Sequence, residues 1–182
     1  MFYLLGKLLG KILQRAFIGL FVLLLSLGTA LDSNGIRYPT EAQVTRRIRE
    51  QTGLVLPQGE LLESIDTHGG FHGDGEYYAA YRISDAAFGA MLSQAAGWQP
   101  LPLPEELEIL IYGKSKAGSA SGPYLKKASV PRITDGYWYF SDRFDPSAPQ
   151  RSRPVLTRGA FNFSIAIYDA ESGILYYAEL DT

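Results

Sequence analysis

Alternating apolar and polar positions predict most of the strands after residue 40. In the segment EYYAAYRI, residues 77, 79, 81 and 83 fall on one face of an extended chain, because successive side chains of a strand point to opposite faces. Three further segments predict strands. GELLESID (59–66) alternates weakly, LEILIYG (107–113) is a short apolar run, and GYWYFSDRF (136–144) is dense in aromatic residues.

Two alternating segments near residue 170 predict the clearest hairpin of the chain: AFNFSIAIYD (160–169) and GILYYAELD (173–181). The connection is AESG (170–173), whose glycine also begins the second segment, and a short loop that ends in glycine is typical of a hairpin. Phe161, Phe163, Ile165 and Ile167 share one face of the first strand.

A first helix is predicted for EAQVTRRIREQT (41–52), where the apolar positions have helical spacing. Val44 and Ile48 lie on one stripe of this helix. Thr40 precedes it, with Gln43 three residues later, which is the arrangement of a capping box. The glycine that follows residue 52 predicts its end.

A second helix is predicted for DAAFGAMLSQAAG (85–97), with Ser84 as its N-cap. Phe88, Met91 and Leu92 are expected to face the core. The elements together predict an α+β domain, in which a mostly antiparallel sheet of five or six strands carries two helices packed on one face.

Three polar or proline-rich segments connect these elements. The segment WQPLPLPE (98–105) is neither a helix nor a central strand, because proline removes backbone donors and fixes φ. The segments 113–132 and 145–159 are rich in Gly, Ser, Pro and basic residues and predict two long loops.

The first 31 residues have the pattern of a membrane segment. Lys7, Lys11 and Arg15 recur every four residues, and no charged residue occurs from residue 16 to residue 31. An apolar run after basic residues favours a transmembrane helix whose basic start stays in the cytoplasm. The predicted organisation is therefore an anchor at 1–31, a linker at 32–39 and an extracytoplasmic α+β domain at 40–182.

Two alternatives remain open for this segment. A secretory signal also has a basic start and an apolar run, and Gly28 and Ala30 supply the small residues of a cleavage site. The protein would then be secreted rather than held as a single-pass protein of the cell membrane. A buried core helix is the third alternative, and three cations ahead of an unbroken apolar run disfavour it.

The composition excludes several classes of site. The chain contains no cysteine, which excludes disulfides, a thiol nucleophile, an iron–sulfur cluster and a cysteine zinc site. The net charge of −2 gives no general attraction to nucleic acid, and we expect no nucleic-acid partner. No phosphate-binding loop, dinucleotide fingerprint or serine-hydrolase motif occurs.

The segment DTHGGFHGDGE (66–76) holds both histidines of the chain. His68, His72, Asp74 and Glu76 offer two imidazoles and two carboxylates, a plausible donor set for a divalent metal such as zinc or manganese. Asp66 with Asp74 and Glu76 would instead suit calcium. The competing and favoured interpretation is a glycine-rich turn, because glycines permit the positive φ values that a tight connection needs.

Basic residues are concentrated in the two predicted loops. Residues 113–158 hold nine basic and three acidic side chains, whereas residues 41–112 hold four basic and eleven acidic ones. This asymmetry predicts a surface that binds anionic lipid head groups, an anionic envelope polymer or an acidic protein partner. The residues proposed for it are Lys114, Lys116, Lys126, Lys127 and Arg132. Solvated loops without a binding role are the alternative.

Five segments, DTHGGFHGDGE, GWQPLPLP, LEILIYG, YWYFSDRF and FNFSIAIYDAESGILYYAELDT, occur in this order after residue 50. Together they resemble a group of small membrane-anchored proteins of Gram-positive bacteria that have no assigned function. The resemblance implies a bacterial membrane-anchored domain and implies no catalytic residue.

Three functions are therefore open at the level of sequence. The favoured hypothesis is a membrane-tethered extracytoplasmic domain that binds or interacts without catalysis. A metal-binding protein or metal-dependent hydrolase centred on residues 68–76 is the second. An accessory subunit of a membrane complex, which would act through the membrane segment and its basic face, is the third.

Overall fold

The computed structural model describes four ranges of the chain: 35–57, 59–69, 73–116 and 119–182. Nearly all of the described residues belong to one compact unit, 38–182. The predicted membrane segment at 1–31 lies outside the described residues. Within the described ranges, no helix has both the length and the apolar character needed to cross a membrane.

The described residues contain eight strands. They are β1 (Glu60–Asp66), β2 (Gly75–Arg82), β3 (Gln99–Pro100), β4 (Lys114–Lys116), β5 (Ser119–Ser121), β6 (Gly136–Asp142), β7 (Asn162–Asp169) and β8 (Ile174–Asp181). Six of them form one antiparallel sheet in the order β1-β2-β8-β7-β6-β3, and β4 pairs with β5 in a separate small sheet. The predicted α+β class and the predicted antiparallel sheet are confirmed.

Three helices accompany the sheet: α1 (Glu41–Thr52), α2 (Asp85–Leu92) and α3 (Glu105–Tyr112). The backbone N–H of Thr40 donates to Oε1 of Gln43 at 2.8 Å, so the predicted capping residues do begin α1. Gly53 ends α1 with φ of 75°, a left-handed conformation that glycine adopts at low cost. The Ser84 side chain accepts a hydrogen bond from the N–H of Ala87 at the start of α2.

Helices α1 and α2 contribute to one apolar cluster on the first face of the sheet. Val44 and Ile48 of α1 are completely buried in it, together with Phe88 of α2 and aromatic side chains of the sheet. The rings of Phe88 and Tyr168 stack with their centroids 3.8 Å apart. The prediction of two helices on one face is therefore correct for these two helices.

Helix α3 packs in a second apolar cluster on the opposite face, which corrects the prediction that LEILIYG forms a strand. Leu107, Leu110 and Ile111 are buried there beside Ile165 and Ile167 of β7. Their spacing of three and four residues places them on one stripe of a helix. The sheet is consequently covered on both faces.

The two predicted loops have more structure than the sequence indicates. The segment 113–132 contains the small β4–β5 sheet, and the segment 145–159 contains two short 3₁₀ helices, Pro149–Ser152 and Val155–Thr157. Arg158 is largely buried and binds Oδ2 of Asp142 at 2.7 Å. The second segment is thus held against the end of β6.

Candidate functional site

A row of polar side chains crosses the middle of the sheet on its first face. Glu179 of β8 is completely buried and lies opposite Tyr77 of β2 and Ser164 of β7. Directly opposed residues of antiparallel strands share a face, so all three side chains lie on the side that α1 covers. The apolar first cluster therefore borders a buried polar region.

Two arginines hold the Glu179 carboxylate. Nε and Nη2 of Arg47 each donate to a different carboxylate oxygen at 2.8 Å, and Nη2 of Arg143 lies 3.2 Å from Oε2. The Tyr177 hydroxyl donates to Oε1. Burial, followed by the nearby carboxylate, raises the pKa of Tyr177 well above its ordinary value, so this hydroxyl stays protonated. The bidentate pair joins α1 to the central strand.

His68 lies between two carboxylates at the end of the sheet. Its Nδ1 is 2.8 Å from Oδ1 of Asp66, and its Nε2 is 3.0 Å from Oδ2 of Asp181. The hydrogen bond to Asp181 raises the pKa of His68, and the contact with Asp66 adds to this effect against the opposing effect of burial. The protonated imidazolium is the form that the two contacts favour.

Asp181 connects His68 to Arg143. Nη2 of Arg143 donates to Oδ1 of Asp181 at 2.9 Å, while His68 contacts the other oxygen. Burial acts to raise the pKa of Asp181, but His68 and Arg143 outweigh it, so the pKa lies below its ordinary value of 3.8. The carboxylate is therefore ionised at neutral pH.

The groups just described form what we call the ionic cluster: Asp66, Glu179, Asp181, Arg47, Arg143 and His68. Three carboxylates face two guanidinium groups and one imidazole. Protonated His68 makes the formal charge of the cluster zero, whereas neutral His68 leaves one uncompensated negative charge. Buried charges are tolerated when they are paired in this way.

An open cleft of about 740 Å³ lies where β2 begins and β8 ends. Phe161 and Leu180, which line it, also belong to the second apolar cluster. The rings of Tyr124 and Phe161 meet edge to face with centroids 5.0 Å apart. Acidic and basic side chains complete the lining: Asp74, Glu76, Asp181 and Lys126.

The cleft and the ionic cluster share Asp181, which lines the cleft and binds His68 and Arg143. Glu76 is also held in place, because its Oε2 accepts a hydrogen bond from the backbone N–H of Lys127 at 2.7 Å. The backbone N–H of Glu76 donates to the Thr67 hydroxyl at 2.8 Å. These contacts fix the wall of the cleft relative to the sheet.

The structure brings together only part of the predicted metal set. His68 points to Asp66 and Asp181, Asp74 is exposed, and Glu76 binds Lys127. His72 lies outside the described residues. Among the residues that are described, no group of three or more His, Asp and Glu side chains could hold a metal ion. The four-residue set that includes His72 stays a prediction.

The structure describes the side chains of three of the five residues of the predicted basic surface. Lys126 and Lys127 are exposed. The guanidinium of Arg132 lies 4.6 Å from the ring centre of Tyr112 and 4.0 Å from Glu108. Lys114 and Lys116 lie on strand β4, and their side chains are outside the description. Binding of this surface to an anionic partner stays a prediction.

Sequence reasoning missed the ionic cluster, although one signal for it was present. In the alternating segment GILYYAELD, Glu179 falls on the same face as Leu175 and Tyr177, which are both buried. A charged residue on the buried face of a strand requires a cationic partner. Arg47 and Arg143 supply it from distant parts of the sequence.

No protein-family model matches the chain, and no curated protein and no solved structure matches it. The resemblance to membrane-anchored proteins of Gram-positive bacteria stays a prediction. The cleft and the ionic cluster are the observations from which a function is proposed.

Proposed function

We propose that residues 40–182 form a non-catalytic binding domain, which an anchor at residues 1–31 tethers to the outer side of the cell membrane. The observation that carries the proposal is the cleft of about 740 Å³ at the end of the sheet. Its volume falls within the range of about 300–1,000 Å³ that is typical of sites for small molecules.

The lining of the cleft supports binding. Tyr124 and Phe161 offer aromatic surface, while Asp74 and Glu76 offer carboxylates next to it. Binding sites combine mostly apolar walls with a few polar groups that orient the ligand. The contacts of Glu76 with Lys127 and of Asp181 with His68 hold two of these groups in place before a ligand arrives.

The state of the ionisable groups argues against acid–base catalysis at this end of the sheet. A general base needs a free lone pair directed at its substrate. Both ring nitrogens of His68 contact carboxylates, and these contacts favour the protonated form. Glu179 is completely buried and has both oxygens bound by Arg47. His68 and Glu179 therefore have a structural role in the proposed domain.

The tether is inferred from the sequence of the first 31 residues. Lys7, Lys11 and Arg15 precede an uncharged apolar run, which favours an orientation with this basic segment in the cytoplasm. The domain that follows would then face outward, where an envelope component is accessible to the cleft.

The full-length protein in mild detergent tests the proposal. Its thermal unfolding is followed with four classes of compound: alkylamines, neutral oligosaccharides, phosphate esters and divalent metal salts. A ligand that binds the folded state raises the melting temperature by an amount that grows with the logarithm of its concentration above its dissociation constant. We expect one class to stabilise the wild type, to stabilise a Phe161→Ala variant less, and to be recovered chemically unchanged. No stabilisation by any class, or conversion of the compound, would contradict the proposal.

A further inference from the structure

We propose that the cleft binds an alkylammonium group, with the cation beside Asp74, Glu76 and the two aromatic rings of Tyr124 and Phe161, and the alkyl part against Leu180 and Pro123. The inference rests on the proposed binding function and adds the chemical class of the ligand. Four features of the cleft carry it: its balance of charge, its aromatic pair, its fixed carboxylate and its apolar floor.

The balance of charge in the cleft favours a cation. Asp181 lines the cleft, but His68 and Arg143 already bind its two oxygens. Among the described residues of the lining, the remaining charged groups are Asp74 and Glu76 against Lys126. One negative charge is therefore in excess among them. The rings of Tyr124 and Phe161 line the same cleft and exclude water from part of it, which strengthens the attraction of this charge for a cation.

The aromatic pair reinforces this preference. Tyr124 and Phe161 both line the cleft, and their rings meet edge to face at an interplanar angle of 63°. The face of an aromatic ring carries partial negative charge and attracts a cation. A neutral alcohol of the same shape gains only the apolar contact and lacks this attraction.

The Glu76 carboxylate is oriented before binding. Oε2 accepts the N–H of Lys127, and the main chain of Glu76 is tied to Thr67 through the Thr67 hydroxyl. A fixed carboxylate loses little side-chain entropy when a cation binds to it. A hydrogen bond from an ammonium group to a carboxylate is about twice as strong as a neutral one.

The floor of the cleft suits the alkyl part of the ligand. Leu180 and Pro123 line the cleft together with the two aromatic rings. Each buried methylene group contributes about 0.8 kcal/mol. A short chain of three or four carbons between the cation and the floor is therefore a better ligand than a bare inorganic cation.

The test uses three four-carbon probes that differ in charge: butylammonium, butanol and butyrate. Saturation-transfer NMR on the probe signals measures their binding to the full-length protein in detergent. We expect saturable binding of butylammonium, weaker binding of butanol and no binding of butyrate. Raising the salt concentration should weaken the binding of butylammonium, because screening reduces the attraction of exposed charges.

Two variants remove the negative charge while they keep the shape of the cleft. Glu76→Gln retains an oxygen for the Lys127 N–H, and Asp74→Asn changes an exposed side chain. We expect each to weaken the binding of butylammonium by about tenfold, which corresponds to about 1.4 kcal/mol. Glu171→Gln, at an exposed position in the β7–β8 turn, is the matched control and should leave binding unchanged.

The possible results distinguish a failure of the proposed ligand class from a failure of the proposed binding function. Equal binding of butanol and butylammonium, or equal affinity in Glu76→Gln and Glu171→Gln, would overturn the inference. Binding of an oligosaccharide or a phosphate ester that depends on Phe161 would also overturn it and leave the binding function standing. Failure of every class to bind would overturn both.

Discussion

Nε2 of His68 lies 3.0 Å from Oδ2 of Asp181, a residue 113 positions further along the chain. This contact fixes the connection that follows β1 against the end of the central strand. The same Asp181 lines the cleft, so the shape of the proposed binding site depends on a histidine that does not line it. The stability of this end of the sheet should therefore respond to pH.

The first prediction concerns the pH dependence of stability. Folding raises the pKa of His68 above its ordinary value of 6.5, so the stabilising contribution is fully present below pH 6.5. It is lost as the pH rises through the folded pKa. The free energy of unfolding in urea should fall more steeply with rising pH for the wild type than for His68→Asn. His72→Asn is the control, since these two are the only histidines. Identical pH profiles for wild type and His68→Asn would contradict the prediction.

The second prediction concerns the buried carboxylate of the ionic cluster. Glu179→Ala removes a completely buried charge and leaves Arg47 and Arg143 without their common partner. Breaking a buried ion pair from one side costs about 3–5 kcal/mol of unfolding free energy. Urea denaturation of the variant measures the cost.

The matched control is an exposed ion pair of the same sheet. Glu60 and Arg82 bind each other at 2.6 Å, but their side chains are 63% and 52% exposed. Glu60→Ala should cost less than about 1 kcal/mol, because exposed pairs are screened by solvent. Similar losses for Glu179→Ala and Glu60→Ala would show that Glu179 is not a structural ion-pair residue.

The third prediction concerns the backbone at the start of β6. Gly136 has φ of 144°, and a Cβ atom built there would lie 1.8 Å from the carbonyl oxygen of Tyr168. Gly136→Ala should therefore lower the unfolding free energy by at least about 2 kcal/mol. Gly89→Ala in α2 meets no atom within 4 Å and should raise it, by up to about 1 kcal/mol. A harmless Gly136→Ala substitution would refute the register between β6 and β7.

The fourth prediction concerns metals at residues 68–76. His68 already contacts two carboxylates, so we expect zinc, manganese and calcium to leave the melting temperature of the wild type unchanged relative to chelator. A His68→Ala/His72→Ala variant provides the comparison. A metal that stabilises the wild type and not this variant would instead establish the metal site that the sequence suggests.

The fifth prediction concerns the basic surface. The unit 38–182 contains both apolar clusters, and we expect it to bind vesicles of anionic lipid at low salt. Replacing the five basic residues by glutamine should abolish retention: Lys114, Lys116, Lys126, Lys127 and Arg132. A variant with Arg46 and Arg49 replaced, which are exposed on α1, is the control. Equal retention of both variants would leave this surface without a binding role.

Local sequence patterns were sufficient to predict those elements whose formation depends mainly on neighbouring residues. Alternation predicted β2 and the β7–β8 hairpin, and the residues at 40 and 43 predicted the start of α1. Helix α3 was missed because an apolar run of seven residues also suits a buried strand. Pro104 and three glutamates in the first turn are the helical signals that outweigh it in the structure.

The candidate site was the least predictable part, because its contacts join distant residues. His68 was identified as a candidate, but its partner Asp181 and the Arg47–Glu179 pair span more than a hundred residues. Such contacts depend on which strands become neighbours in the sheet. Glycine spacing around residue 70 gave no information about that order.

The central position of β8 has a consequence for how the domain folds. The antiparallel pairs β1–β2 and β6–β7 lie on either side of β8, which pairs with β2 and with β7 along eight residues each. Neither pair can join the other through β8 until residues 174–181 have left the ribosome. Contacts between residues so far apart in sequence close slowly. Until β8 is in place, β2 and β7 each keep one edge without a neighbouring strand, so β8 is the segment that completes the sheet.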